Sequence, residues 1–463
     1  MEATQKKRQI DILHGSIWKG ILQFSLPVAA TAILAQLFNA ADIAVVGNFT
    51  GAGRTVAVAA VGANSPVIGL IVNLFIGIAL GVTVVIANAT GSGDNDTVQK
   101  TVHTSIVVAV IGGVLVAVIG ELVAAPLLGI LHVPEDVFPS ALLYLRIYFI
   151  GMPVILLYNF EAAIFRSVGE TKIPLIALAT SGVLNVILNL FFVAILHMTV
   201  DGVAIATVVS NALSSVILYR SLRVTTKEIH LEPRCLQIDA ACLKRILRIG
   251  LPAGIQSAVF SLSNIVIQSA INSLGTVVMA ASSAAFNIEI ISYNVLNSFS
   301  QACTTFVGQN FGAGDLKRCQ KTLKLSLLEG LIALAAVMVI ILFFGRFLLA
   351  IFNSDPDVVA IGYTRLMIIM ISHTFTLLYE LLSGYLRGFG ISFVPALLTT
   401  LGVCGIRIGW IKFVFSHSRT FQTIMIGYPV SLFITALMLF IALICYRPYH
   451  RYCKMSSVKE SGI

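Results

Sequence analysis

Apolar residues run through this chain in long blocks, separated by short polar or glycine-containing intervals. The stretch ALATSGVLNVILNLFFVAIL, Ala177–Leu196, carries no charge over its whole length. A helix of about 20 predominantly apolar residues crosses a bilayer core. Strands of a membrane barrel would alternate in and out over shorter segments. The pattern therefore predicts an all-α membrane protein with twelve spans: 17–46, 60–88, 101–125, 140–165, 174–197, 201–220, 245–272, 277–310, 321–345, 359–386, 393–416 and 421–446. The spans 17–46 and 277–310 exceed the bilayer thickness, which predicts tilt or extension beyond it.

The pattern repeats. IANATGSGD (Ile86–Asp94) returns as VGQNFGAGD (Val307–Asp315) at an offset of 221 residues, and a Gln-Lys-Thr triplet follows each at Gln99 and Gln320. At the same offset Tyr158 matches Tyr379, Arg166 matches Arg387, Gly169 matches Gly390 and Pro174 matches Pro395. Earlier in each half the offset is 225, pairing Pro27 with Pro252 and Asn39 with Asn264. The difference falls in the GNFTGAGRTVA segment, and loops absorb such insertions at small cost. The chain reads as two parallel six-helix bundles, 1–221 and 245–446, joined by a linker over 222–244 and followed by a tail over 447–463. Parallel repeats of this kind are a recurring transporter plan. Each Gly-small-Gly-Asp phrase is expected to close a helix with a glycine turn and to cap the next helix with its Asp. A phosphate-binding loop would need a preceding strand and a Gly-Lys-Ser/Thr, and neither is present.

Composition supports the membrane reading. Hydrophobic residues make up 57% and charged residues 11% of the chain, where a soluble protein carries about 25% charged. The net charge of +9 could suggest nucleic acid, but 23 of the 30 Lys and Arg fall on one side of the predicted map. That is the positive-inside bias; it predicts a multi-pass plasma-membrane protein with both termini cytoplasmic and no nucleic-acid partner. The first apolar segment is too long for a cleavable signal peptide. The seven cysteines include no C-x2-C pair and predict neither disulfide framework nor metal site.

FVGQNFGAGD (Phe306–Asp315), LRGFG (Leu386–Gly390) with its twin FRSVGETK (Phe165–Lys172), and the prolines of SLP and GLP at Pro27 and Pro252 resemble the multidrug and toxic compound extrusion (MATE) transporters. The likeness runs from about residue 15 to 446 and includes the duplication. It implies two six-helix bundles arranged as a V, a central cleft and cation-driven drug export.

A charge at mid-bilayer costs at least about 2.5–3.5 kcal/mol on insertion scales, so each needs a reason. The spans hold Asp42, Glu121, Glu161, Glu289, Glu329, Glu380, Arg146, Arg365, Arg407 and Lys412. Glu121, Arg146, Arg365 and Lys412 lie toward span ends, where long side chains are expected to snorkel to the interface. Glu329 is open to a structural or a functional reading. The isolated His103, His197 and His373 are expected to be packing or interfacial residues. In the other half Asp42 falls on Ile267, Glu161 on Leu382, Glu289 on Ile68, Glu380 on Asn159 and Arg407 on Val186. The scaffold is repeated and these charges are not, as a specialised site requires. Glu380 and Arg407 are candidates either for a buried structural pair or for contact with substrate or cation in the cleft. Glu289, Tyr293 and Asn297 recur every four residues, share one helix face and are expected to line a water-filled cleft.

For cation coupling, Gln36, Asn39 and Asp42 form one polar stripe on the first span. Asn185 with Asn189, and Thr207 with Asn211, repeat at i and i+4 on spans five and six. Oxygen ligands suit Na+, and a carboxylate shielded from water can carry a proton. The resemblance implies that an acid on the first span and an Asn-x-x-x-Asp pair on the fifth couple the ion. These fall on Asp42, Asn185 and Asn189, with Asn where the family often has Asp, so Asp42 would bear the charge change alone or share it with Glu161. The alternative places Asp42 merely at the outer interface.

No nucleophile–base grouping, cofactor motif or nucleotide-binding motif appears, so neither an enzyme nor an ATP-driven pump is expected. The expected function is an H+- or Na+-coupled antiporter, a monomer without cofactor, that exports amphipathic and often cationic drug-like compounds. The alternative is a flippase for lipid-linked oligosaccharide, although acidic intramembrane charges outnumber basic ones here. A channel or receptor-like protein fits the duplication less well. In a cysteine-free background, Arg223→Cys and Lys454→Cys are expected to resist an impermeant maleimide added to intact cells and to react after permeabilisation. Labelling from outside would overturn the topology.

Overall fold

A computed structural model describes residues 10–50, 54–131 and 133–448. The basic residues Lys6, Lys7 and Arg8, and the tail from residue 449, lie outside the described residues. Every regular element among the described residues is helical: α1 Ile17–Phe49, α2 Arg54–Ser92, α3 Asn95–Ile130, α4 Phe138–Ile150, α5 Met152–Ser167, α6 Lys172–Asn189 and α7 Val200–Val224 in the first half. The second half holds α8 Ala240–Asn272, α9 Thr276–Gly312, α10 Leu316–Phe352, α11 Pro356–Gly388, α12 Phe393–Thr399, α13 Ile406–Trp410 and α14 Phe421–Tyr446.

Eleven helices are long and apolar enough to span a bilayer, and the bent pair α4–α5 brings the number to twelve. The span expected at 140–165 is thus two helices meeting at 51°. Gly151 separates them and Pro153 opens α5. A proline has no N–H to bond back into the preceding turn, so the helix restarts there. The fifth span of each half leaves α geometry at matched positions. Wider π turns cover Leu190–Ile195 after α6 and Ile411–Phe415 after α13, and a further one covers Thr400–Gly405. A 3.6-residue period in the sequence does not reveal such turns.

The repeated phrase behaves as its residues require. Asp94 and Asp315 cap α3 and α10, accepting hydrogen bonds from the backbone N–H groups of Thr97 at 3.0 Å and Arg318 at 2.8 Å. Gly93 and Gly314 supply the left-handed turn before each cap, at φ 72° and 79°. The Thr97 hydroxyl and N–H hold the Asp94 carboxyl below the usual carboxylate range.

Packing divides the chain into two compact units. One, here the N unit, comprises Ala30–Ile86 and Asp94–Leu247; the other, the C unit, comprises Met1–Ala29, Ala87–Gly93 and Arg248–Ile463. The N unit is built on Val46, Leu128, Leu145, Phe149, Met152 and Leu156, among others. In the C unit, the start of α1 packs into the second half's helices: Ile21, Phe24 and Val28 join Leu296, Phe306 and Leu377 in one apolar cluster. Arg318 clamps the chain leading into α1 by donating to the carbonyls of Ile12 and Gly15, both at 2.9 Å.

Also within the C unit, the two copies of the phrase cross. A Cβ on Gly91 would collide with the backbone carbonyl of Gln309, and one on Gly312 would collide with that of Asn88. The two contacts are reciprocal, because Gly91 and Gly312 are repeat equivalents, as are Asn88 and Gln309. The Asn88 side chain closes the crossing: with its amide turned so that the nitrogen faces them, it donates to the carbonyls of Gly308 at 2.7 Å and Gly388 at 3.2 Å.

The 222–244 linker, read from the sequence only as polar and basic, is docked on the N unit. Ile229 and Leu231 are fully buried. Gln99 donates to the Glu228 carbonyl at 2.5 Å, the Glu232 N–H donates to His103 Nε2 at 3.1 Å, and the Asp239 N–H donates to the Thr104 hydroxyl at 2.9 Å. Asp239 then accepts from the Cys242 N–H at the start of α8, which holds its carboxyl low.

Because each crossing glycine faces backbone rather than a movable side chain, Gly91→Ala and Gly312→Ala are each expected to lower stability by about 1–3 kcal/mol, the usual cost of overpacking. Gly62→Ala, with open space around the position, is the control. Thermal melts in detergent decide it; equal melting of all three would refute the crossing.

Candidate functional site

In the N unit, α1 and α6 approach closely where Gly182 leaves room for the Phe38 ring. One turn beyond Phe38, Asp42 points into α6 and α7. The Asn189 amide donates to Asp42 Oδ1 at 2.5 Å and the Thr207 hydroxyl to Oδ2 at 3.3 Å. The same Asn189 nitrogen donates to Asn185 Oδ1 at 3.1 Å. Asp42 is only 7% exposed, packed between α1, α6 and α7. Asn189 Oδ1 is buried and has no hydrogen-bond partner. Asn189 is also the last residue before the π turn of Leu190–Ile195, a distortion that recurs at functional sites.

The structure thus brings together Asp42, Asn185, Asn189 and Thr207. Of the other residues expected there, Asn39 is exposed and Gln36 half-buried on the same helix, and Asn211 bonds to the Thr207 carbonyl at 2.8 Å. Glu161 stands apart from the cluster. It is fully buried, accepts from the Ser215 hydroxyl at 2.9 Å on Oε2, and leaves Oε1 unpaired. The repeat equivalents of the Asp42 cluster in the second half are Ile267, Ile406, Trp410 and Tyr428. There the Trp410 indole donates to the Thr423 carbonyl at 2.8 Å. The same scaffold position is polar in one half and apolar or aromatic in the other.

The charges of the C unit are arranged differently from expectation. Arg365 does not snorkel. It is 2% exposed and bonds Glu289 Oε2 through Nη2 at 2.8 Å and Nε at 3.1 Å, with Nη1 on the Ser282 hydroxyl at 2.5 Å. α11 carries Arg365 three turns into the helix and aims it at α9, which span-end reasoning missed. The pairing of Glu380 with Arg407 is also not formed. Tyr293 donates to Glu380 Oε1 at 3.1 Å. Arg407 donates to the Ser431 hydroxyl at 2.9 Å and lies over the Tyr428 ring, 4.2 Å from its centroid, so aromatic and hydroxyl groups supply what the carboxylate was expected to supply. Asn297 accepts from Gln301 at 2.8 Å. Glu289, Tyr293 and Asn297 are each half-buried. Arg146 and Glu121 meet at 3.5 Å in a partly exposed pair, and Lys412 is exposed, in line with positions near span ends. His373 is packed, bonding the Ser292 hydroxyl at 3.0 Å.

A duplicated bundle of membrane-spanning helices with a buried, one-sided polar cluster defines a polytopic membrane protein built on an internal repeat. The MatE family model matches residues 27–191 and again 252–411, and the chain belongs to that family. It is 26% identical over 446 residues to a probable multidrug resistance protein, YoeA, of Bacillus subtilis, covering 94% of each chain. It is also 26% identical to a probable multidrug resistance protein, NorM, of Thermotoga maritima, covering 85% of this chain and 84% of the relative. Its fold matches an outward-facing structure of a multidrug resistance MATE family transporter with a TM-score of 0.87 at 22% identity, over 96% of this chain and 99% of that one.

Breaking a buried ion pair by removing one partner typically costs 3–5 kcal/mol, because the other charge is left unpaired. Glu289→Gln alone is expected to lower stability by about 3–5 kcal/mol, read as a fall in the apparent melting temperature. Glu289→Gln combined with Arg365→Gln is expected to recover most of it. A double variant no more stable than the single one would show that the pair is not what holds Arg365.

Proposed function

We propose that this protein is a cation-coupled antiporter that exports amphipathic, often cationic, organic compounds by alternating access. The observation that carries the reading is the Asp42 cluster: one buried carboxylate, met by two neutral donors from two other helices, with no fixed positive charge bonded to it. A buried carboxylate without a basic partner is poised to be neutralised by an ion from solution. Beside it the unpaired Asn189 Oδ1 offers an oxygen to Na+. A proton would instead settle on Asp42 Oδ2, with Asn189 still donating to Oδ1. Either ion changes the cluster's charge by one unit, and an ion drives a conformational equilibrium only through such a difference in affinity between two states. The absence of an equivalent cluster at Ile267, Ile406, Trp410 and Tyr428 leaves the second half free for cargo. On this reading the polar face of Tyr293, Asn297 and Glu380, with Arg407, contacts the compound, and Glu289 acts through Arg365. Glu161 remains a second carboxylate that could share the charge change. The names of the relatives as multidrug resistance proteins favour drug-like cargo over lipid-linked oligosaccharide. On this reading the chain works in the plasma membrane; the positive-inside bias supports cytoplasmic termini, and one chain carries both halves of the working unit.

Asp42→Asn keeps the shape and most hydrogen bonding of the group while abolishing its titration. In proteoliposomes with a pH or a Na+ gradient imposed singly, the variant is expected to bind a cationic dye as the wild type does and to lose at least tenfold of its gradient-driven flux. The gradient that supports wild-type flux identifies the ion. Wild-type flux from Asp42→Asn would place the coupling elsewhere.

A further inference from the structure

Three side chains of α3 fasten the 222–244 linker, and one of them titrates. Gln99 donates to the Glu228 carbonyl. Thr104 accepts from the Asp239 N–H at 2.9 Å and reaches the Gln237 carbonyl at 3.5 Å. Between them His103 holds the Glu232 N–H at 3.1 Å. In the same stretch Ile229 and Leu231 are fully buried, and the Leu231 N–H donates to the Leu222 carbonyl at 3.0 Å. The linker joins the two sequence repeats, and its Asp239 accepts from the Cys242 N–H at the start of α8.

His103 makes its contacts in one protonation state only. Its Nδ1 lies 2.7 Å from the Gln99 carbonyl, an oxygen that can only accept, so Nδ1 carries a hydrogen. Its Nε2 receives the Glu232 N–H, so Nε2 carries none. Together the two bonds require neutral imidazole, because imidazolium is a donor at both nitrogens. A proton added at Nε2 sets N–H against N–H, breaks the bond to the linker and leaves a cation on a residue that is 5% exposed. Both changes disfavour the docked linker. Histidine is the side chain whose charge ordinarily changes between pH 5 and 8.

The surroundings hold no charge that would compensate. Among the described residues no carboxylate forms an ion pair with His103. On α3, Lys100 is bonded to Asp96 at 2.6 Å. In the linker, Lys227 pairs with Glu170 of the α5–α6 turn, and Glu228 and Glu232 are exposed. The low-lying carboxyl of Asp239 stays ionised over this pH range. The other charged groups at this end are cations: Arg166 on α5, Lys172 opening α6, Arg220 and Arg223 closing α7, and Lys244 and Arg245 on α8. His230 contacts the Thr225 carbonyl through Nδ1 at 3.0 Å, a bond that a second proton leaves intact.

We infer that His103 is a proton-operated latch: neutral, it keeps the linker docked on α3, and uptake of one proton at Nε2 releases the stretch around Glu232. The docked form binds that proton more weakly than the released form, so docking is complete at high pH and is lost as pH falls. The latch does not depend on the transport reading, and it is measured without cargo or ion gradient.

Hydrogen exchange of the full chain in nanodiscs, corrected for the intrinsic pH dependence of exchange, tests it. The amides of Leu231 and Glu232 are expected to exchange at least tenfold faster at pH 5.5 than at pH 7.5, while peptides from 141–149 keep their protection. His103→Gln places an amide oxygen near the Glu232 N–H and takes up no proton in this range; it is expected to lose the acid step, and His230→Gln to keep it. Thr104→Ala removes a neighbouring anchor and leaves the imidazole, so by linkage it should move the midpoint of the step to higher pH. If the linker of His103→Gln is open at both pH values, the Thr104→Ala midpoint decides. Equal wild-type exchange at both pH values, an acid step that survives in His103→Gln, or an unmoved midpoint in Thr104→Ala would overturn the latch. A step lost in His230→Gln would overturn it too, by assigning the proton to His230.

Discussion

Inside hydrocarbon, a polar group that is not answered by a neighbour costs several kcal/mol, and water is not there to help. The arrangement of this protein's intramembrane residues follows from that constraint. Arg365 is driven onto Glu289 and Ser282. Glu380 is met by Tyr293, and Arg407 turns to a ring and a hydroxyl. Asp42 is met only by neutral donors, so its charge is solvated but not cancelled. That difference sets Asp42 apart from Glu289, whose charge is met by Arg365. Glu329, with no donor at all, lies further along the same scale.

Holding these groups in place falls to close backbone approach rather than to apolar burial. Lipid tails are as apolar as Leu or Val, so helices in a membrane gain little by hiding such side chains from one another. Small residues that let backbones touch do the work instead. Gly91 against Gln309 and Gly312 against Asn88 make one reciprocal crossing. Gly182 on α6 instead makes room for the Phe38 ring of α1, one turn from Asp42. Duplication explains why the crossing is symmetric: both partners are copies of one phrase. The Asp42 cluster, by contrast, sits on only one copy of a repeated scaffold whose π turns recur in both halves.

Much of this was legible in the chain itself. The apolar runs fixed the number and order of the spans to within a few residues, because a bilayer demands about 20 apolar residues per crossing whatever the packing. The repeat, the capping aspartates and the glycine turns are local, and local backbone chemistry decides them. Asp42, Asn185, Asn189 and Thr207 could be picked out because a helix period places each on a definite face. The resemblance carried by FVGQNFGAGD and its partners named the family whose model then matched residues 27–191 and 252–411.

What the sequence could not determine was which face meets which. Asn39 and Gln36 share a stripe with Asp42 and yet stay outside the cluster: Asn39 is exposed and Gln36 half-buried, and only Asp42 reaches Asn189 and Thr207. Arg365 looked like a residue near a span end, and Glu380 like the partner of Arg407; the crossing of α9 and α11 exchanged those partners. The break at Gly151 and the π turn after Asn189 leave no mark in hydropathy, since they alter backbone geometry without altering side-chain polarity. The docking of Ile229 and Leu231 was visible only as two apolar residues alternating in a basic segment. Composition and periodicity determine what each segment is made to do, because those are properties of one helix and its solvent. Partner choice depends on distances between helices, and only the tertiary structure sets them.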